Sequence, residues 1–168
     1  MLQPILRLQR MLATAGESFQ SLFLLLVRLY WGWQFMQTGW GKLTNLDRFT
    51  QFFTTLGLPA PGSLAALVGS LELAGGLLLF IGLFSRLIAV PMTVTMTAAY
   101  LLANREALES IFSDPGKFYG ADPYTFLFAV VLVLIFGPGR FSVDRLLEAG
   151  SDGTDYRTSV IVRATNRV

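Results

Sequence analysis

Four apolar runs limit what this chain can fold into. They extend from about Gln20 to Gly41, Pro61 to Phe84, Arg86 to Ala103 and Asp122 to Gly137. A bilayer core roughly 30 Å thick takes about 20 helical residues to cross. The first two runs meet that length, the third is adequate and the fourth is short. Inside lipid every backbone N–H and C=O needs an internal partner, so such runs form helices rather than open strands. Asp122-Pro123 supplies an N-cap and a proline at the first helical position, and Gly137-Pro138-Gly139 stops the fourth run. Only Ser85 separates Phe84 from Arg86, so the second and third runs form a tight antiparallel hairpin. The chain is 53% hydrophobic and 14% charged, whereas soluble domains carry about 25% charged residues. The expected fold is all-α: an integral membrane four-helix bundle over residues 20–147.

The segments between and around the runs have their own pattern. Residues 1–19 read as a separate amphipathic segment, with Arg7 and Arg10 among Leu and Ile. They are not expected to form a signal peptide, since the apolar stretch after them is too long and no small-residue cleavage site follows it. Leu46, Phe49, Phe52, Phe53 and Leu56 recur at helical spacing, and Gly57 and Pro59 end the pattern. This predicts a short amphipathic helix in the first loop, lying at the membrane interface. Residues 104–121 read as a polar loop with a helical turn from Glu106 to Phe112, and residues 148–168 as a polar, flexible tail. With four spans both termini share a side. That side holds Arg7, Arg10, Arg86, Arg140 and Arg145, against Lys42, Arg48, Arg105 and Lys117 opposite. The excess places both termini in the cytoplasm of a multi-pass membrane protein.

Chemistry is narrowed by what is missing. The chain has no Cys and no His. That excludes disulfides, thiol redox chemistry, Cys-ligated metal and His-ligated haem. No metal site, haem or covalently bound cofactor is expected. No dense basic patch marks a nucleic-acid partner. Two charges, Arg28 and Glu72, fall deep inside apolar runs. A lone charge at mid-bilayer costs roughly 2.5–3.5 kcal/mol on insertion scales, so such residues face the bundle and find partners. Arg28, Gly32, Phe35, Gly39 and Lys42 share one helical stripe, and Ala65, Gly69, Glu72 and Gly76 share another. Small residues on both let the backbones approach. Counted from one membrane face, Arg28 lies roughly 12 Å deep and Glu72 roughly 20 Å, which predicts an Arg28–Glu72 pair. Such a pair serves equally as a site or as a staple fixing helix register. Thr93, Thr97, Tyr100 and Asn104 form a weaker polar line on the third run, where threonine hydroxyls also bond back to their own helix. Trp40 fits an interfacial belt.

Taken together, these residues resemble the DoxX family of small bacterial and archaeal four-helix membrane proteins. The resemblance is carried by the Arg28 run with its Gly41-Lys42 end, Phe52, Gly57-Leu58-Pro59 and Glu72-Leu73-Ala74-Gly75-Gly76. It continues through Gly82-Leu83-Phe84-Ser85-Arg86 and the run from Gly137 to Asp144, and covers about Leu22 to Leu147. It implies a place in a bacterial or archaeal cell (inner) membrane and association with membrane oxidoreductase systems, since some members are subunits of a thiosulfate:quinone oxidoreductase. Arg28, Lys42, Glu72 and Arg86 are the family's polar positions present here. A first reading is a subunit that helps shape a quinone site beside partner redox subunits. A quinone needs an apolar slot with one or two donors, which Arg28, Lys42, Trp40 and Tyr100 supply. A second is a structural or assembly protein without its own chemistry. A third, less favoured, is a small-molecule carrier, which would have to act as a homo-oligomer, since no inverted repeat is visible. Catalysis by this chain alone is not expected.

Overall fold

The computed structural model describes residues 2–149, and among them every regular element is a helix. The first, α1, runs unbroken from Leu2 to Thr44 over 43 residues. At 1.5 Å per residue it is about 65 Å long, twice a bilayer core. The expected separate segment 1–19 is thus continuous with the first span. Pro4 stands in the first turn, where proline is tolerated, and Gly16 alone costs about 1 kcal/mol, too little to break a long helix. Among the described side chains of α1, the buried face begins at Ser21.

The short amphipathic helix of the first loop is α2, Leu46–Thr55, ended by Gly57 at φ +71°. It packs on α3, Pro61–Ile81. Gly82 then adopts φ +75°, and Gly82 and Leu83 donate back to Leu79 and Leu78 in a Schellman closure. The predicted tight hairpin follows, and α4 runs from Ser85 to Ala103. The connecting loop holds two short helices, α5 (Arg105–Glu109) and α6 (Pro115–Gly120). α7, Pro123–Phe136, has 14 residues. It spans only about 21 Å and is the shortest of the apolar helices. Residues 143–149 form a last helical stretch, so the start of the expected flexible tail is helical. The rest of that tail lies outside the described residues.

The four long helices close a ring. α1 packs most extensively on α3 and α4 on α7, with α3–α4 and α1–α7 contacts completing it. The α1–α3 seam is made by glycine, as the stripes predict. A Cβ at Gly32 would meet Gly76 O and Phe80 N at 2.9 Å, and one at Gly39 would meet Leu73 N at 2.4 Å. Phe35, Met92, Val130 and Val133 fill the middle of the bundle. Around its perimeter Leu26, Leu67, Leu87, Val94 and Ile135 all point outward. An apolar exterior on each of the four long helices is the surface of a protein dissolved in lipid. By length and hydropathy α3 and α4 each suffice to cross a membrane, and α7 is a shorter apolar helix.

Candidate functional site

The antiparallel register of α1 and α3 decides which charges meet. Gly32 faces Gly76 and Phe80, and Gly39 faces Gly69 and Leu73. Extending this register puts Arg28 level with Gly82, and a Cβ there would lie 1.7 Å from Arg28 Nη1. Glu72 is ten residues up α3 from Gly82, roughly 15 Å along the bundle. The predicted Arg28–Glu72 pair therefore does not form. Glu72 pairs instead with Lys42, Nζ to Oε2 at 2.5 Å. The prediction failed because it placed Gln20 and Phe84 at one level, whereas the hairpin turn sits level with Arg28.

At the hairpin end, Arg28 is 1% exposed and its Nη2 donates to the Phe141 carbonyl. Among the described residues its Nε and Nη1 have no protein acceptor. Asp144 lies within electrostatic reach of it. The Asp144 carboxylate accepts from Phe84 N at 2.6 Å and Ser85 N at 2.9 Å, capping the start of α4. Phe84 needs that support, because it holds φ +49°, a region costly for a bulky side chain. Gly137 and Gly139, both at φ +80°, turn the chain after α7 so that Gly139 reaches Ser21 and Leu24 of α1. The run from Gly137 to Asp144 is thus a clasp joining α1, the hairpin and α7.

At the other end the bundle opens. A cavity of about 860 Å³ is walled by α1, α3, α4, the α6–α7 connection and the start of α7, and α2 covers it with Phe49, Phe52 and Phe53, joined by Leu56 just after it. Small-molecule sites occupy about 300–1,000 Å³ and are apolar with a few placed polar groups. Here those groups are Lys42 and Glu72, with Gln34, Gln37, Thr38, Thr95 and Thr125 around them. Glu72 is 3% exposed. Lys42 stands 5.5 Å from the centre of the Phe49 ring, a cation–π contact that fixes the ammonium under α2. The ammonium has three N–H donors, and Glu72 takes one in the ion pair. The arrangement offers a charged donor beside an apolar slot.

The other sequence-derived candidates are dispersed. Trp40 is 62% exposed on the outer face of α1, away from the cavity. Tyr100 is buried, stacks on Phe118 and donates its hydroxyl to the Phe118 carbonyl at 2.8 Å, tying α4 to α6. Thr93 bonds back to Ala89 O and Thr97 is exposed. Asn104 ends α4, its side chain donating to Ala99 O at 3.4 Å. Arg86 is exposed and donates to Ile135 O at 3.4 Å. The cavity residues that sequence reasoning missed carried a signal. Gln34, Gln37 and Thr38 share one helix face with the candidate Lys42, at offsets 3, 4 and 8 from Gln34.

Comparison with known proteins agrees with a membrane protein. The DoxX family model matches residues 23–105, from the bundle portion of α1 to the end of α4. The chain is 32% identical over 133 residues to an uncharacterized membrane protein of Mycobacterium tuberculosis, covering 72% of this chain and 78% of that one. It is 29% identical over 132 residues to the inner membrane protein YqjF of Escherichia coli, covering 78% and 96%. It is 32% identical over 83 residues to the protein named "Putative oxidoreductase CatD" of Bacillus subtilis, covering 49% and 60%. No solved structure matches.

Proposed function

The chain belongs to the DoxX family, and from that premise we propose that it is a quinone-binding accessory subunit of a membrane oxidoreductase. The observation that carries the reading is the apolar cavity of about 860 Å³ with the Lys42–Glu72 pair in its wall. A quinone ring fits such a slot, and its carbonyl accepts a hydrogen bond from the Lys42 ammonium. The name of the Bacillus subtilis relative supports the redox association. In this reading the four long helices each cross the membrane. Both termini are cytoplasmic, with Arg86, Arg140 and Arg145 at the inner face and Lys42 and the cavity in the outer half. The electrons come from partner subunits, and this chain shapes and holds the ring.

The test is binding of decylubiquinone to the purified full-length protein in mild detergent, by calorimetry, together with quinone analysis of the native extract. Binding that weakens about tenfold in Lys42→Gln supports the reading, the loss expected of one charge-assisted hydrogen bond. A Lys42→Met/Glu72→Leu variant keeps the fold while removing the donor, and it should bind equally poorly. Unchanged affinity in both variants, or no quinone binding by the parent, overturns the proposal.

A further inference from the structure

A second opening lies at the hairpin end, away from Lys42. It is a cleft of about 760 Å³ between the Ser21–Leu24 stretch of α1, the start of α4, the end of α7 and the 143–149 helix. Three guanidinium groups line it, Arg86, Arg140 and Arg145, with the carboxylates of Asp144 and Glu148. The carboxylates are engaged. Asp144 caps Phe84 and Ser85 beside buried Arg28, and Glu148 pairs with Arg145 at 2.9 Å. Arg86 spends one N–H on Ile135 O, a bond of 3.4 Å at the C-terminal end of α7. Among the described residues neither Arg86 nor Arg140 is in an ion pair. The cleft therefore presents positive charge in excess of its own counter-charges. Its remaining wall is apolar and faces outward: Phe84, Leu87 and Phe136 are all exposed.

Charge above an outward apolar wall is the signature of an amphiphile rather than of a free anion. Basic pockets at the ends of transmembrane helices bind anionic lipid head groups. We propose that this cleft seats an anionic phospholipid, its phosphate held between Arg86 and Arg140 and its acyl chains lying along Leu87 and Phe136. Arginine matches a phosphate with two parallel N–H donors, which lysine does not. Arg86 is held over Gly137, where a Cβ would come within 3.1 Å of its Nε and Nη2. The turn after α7 thereby sets the guanidinium at the cleft. A bound lipid would brace the clasp, since its phosphate bridges the start of α4 and the segment after α7.

The experiment is native mass spectrometry of the full-length protein in mild detergent. Phosphatidylglycerol and phosphatidylcholine of matched chains are compared, with inorganic phosphate as a third arm. Each arginine near a membrane surface is worth about 1 kcal/mol toward anionic lipid, which is about fivefold. Phosphatidylglycerol should be retained at least fivefold over phosphatidylcholine by that measure, Arg140→Gln should lose about fivefold, and inorganic phosphate should not displace the lipid. Arg140 is exposed, so its variant folds and decides the matter even if Arg86→Gln loosens α7. Equal retention of the two lipids, undiminished phosphatidylglycerol on a folded Arg140→Gln, or displacement by inorganic phosphate each overturns the proposal. The Lys42 variants leave this binding unchanged, so failure here is distinct from failure of the quinone site.

Discussion

Gly39 lies where the backbones of α1 and α3 come closest, and replacing it with alanine measures what that approach contributes. The new Cβ would stand 2.4 Å from Leu73 N, 2.7 Å from Gly69 O and 2.9 Å from Leu73 Cα. All three are backbone atoms, so no side chain can rotate away. Reaching the roughly 3.5 Å at which carbon atoms settle requires the helices to part by about 1 Å. A gap of that size forfeits a quarter to a half of each dispersion contact along the seam. Overpacking costs about 1–3 kcal/mol, and a rigid obstacle belongs at the upper end. Alanine returns about 1 kcal/mol of helix propensity, leaving a net loss of about 2 kcal/mol. Gly41, two residues on, has nothing within 4 Å of its own Cβ position. Gly41→Ala should therefore gain up to about 1 kcal/mol, which puts the two alanines about 3 kcal/mol apart. Equilibrium unfolding in mixed detergent micelles, followed by circular dichroism, reads the difference. Equal stability of the two variants would refute the glycine seam.

The ion pair and the clasp lend themselves to parallel tests. Glu72→Gln strands the Lys42 ammonium, whose side chain is 19% exposed, and should cost about 3 kcal/mol, the lower end for breaking a buried pair. Lys42→Met/Glu72→Leu removes both charges and should unfold within about 1 kcal/mol of the parent, because apolar replacement of a buried pair is often neutral. If the single variant were as stable as the parent, the pair would be no more than a surface contact. Asp144→Asn keeps one acceptor for the Phe84 and Ser85 amides and loses the charge near Arg28, a loss of about 1.5–3 kcal/mol. Hydrogen exchange of those two amides should quicken by a similar free energy, and unchanged protection would count against the cap.

The elements were legible because their signals are local. Pro61, Pro123 and Gly137 bound α3 and α7 as the sequence indicates, whereas α3 stops at Ile81 with Gly82 as its cap, short of the expected Phe84. The α2 pattern, five apolar residues at helical spacing, gave the helix that covers the cavity. The continuity of α1 was not legible, since an amphipathic segment followed by an apolar run looks the same whether or not the helix breaks. The charge pairing was lost for a different reason. Register between two helices is set by which glycines meet, and moving the level of the hairpin turn from Gln20 to Arg28 exchanges Arg28 for Lys42 as the partner of Glu72. The value of Asp144 was invisible in the sequence, because its partners lie about sixty residues away.

The glycine seam also explains why the bundle holds two polar sites rather than the single polar seam that the stripes predict. Between Arg28 and Lys42 the α1 and α3 backbones are in contact, so no charged side chain has room between them. Arg28 and Lys42 must then lie at opposite ends of the contact, each answered by whatever the fold brings there. Asp144 and Phe141 come from the segment after α7, and Glu72 with Phe49 from α3 and α2. Between these levels Phe35, Met92 and Val130 are fully buried and apolar. A charge moving from one site to the other would cross that layer without a hydrogen-bond partner, at several kcal/mol. That cost keeps the charges of the two sites apart.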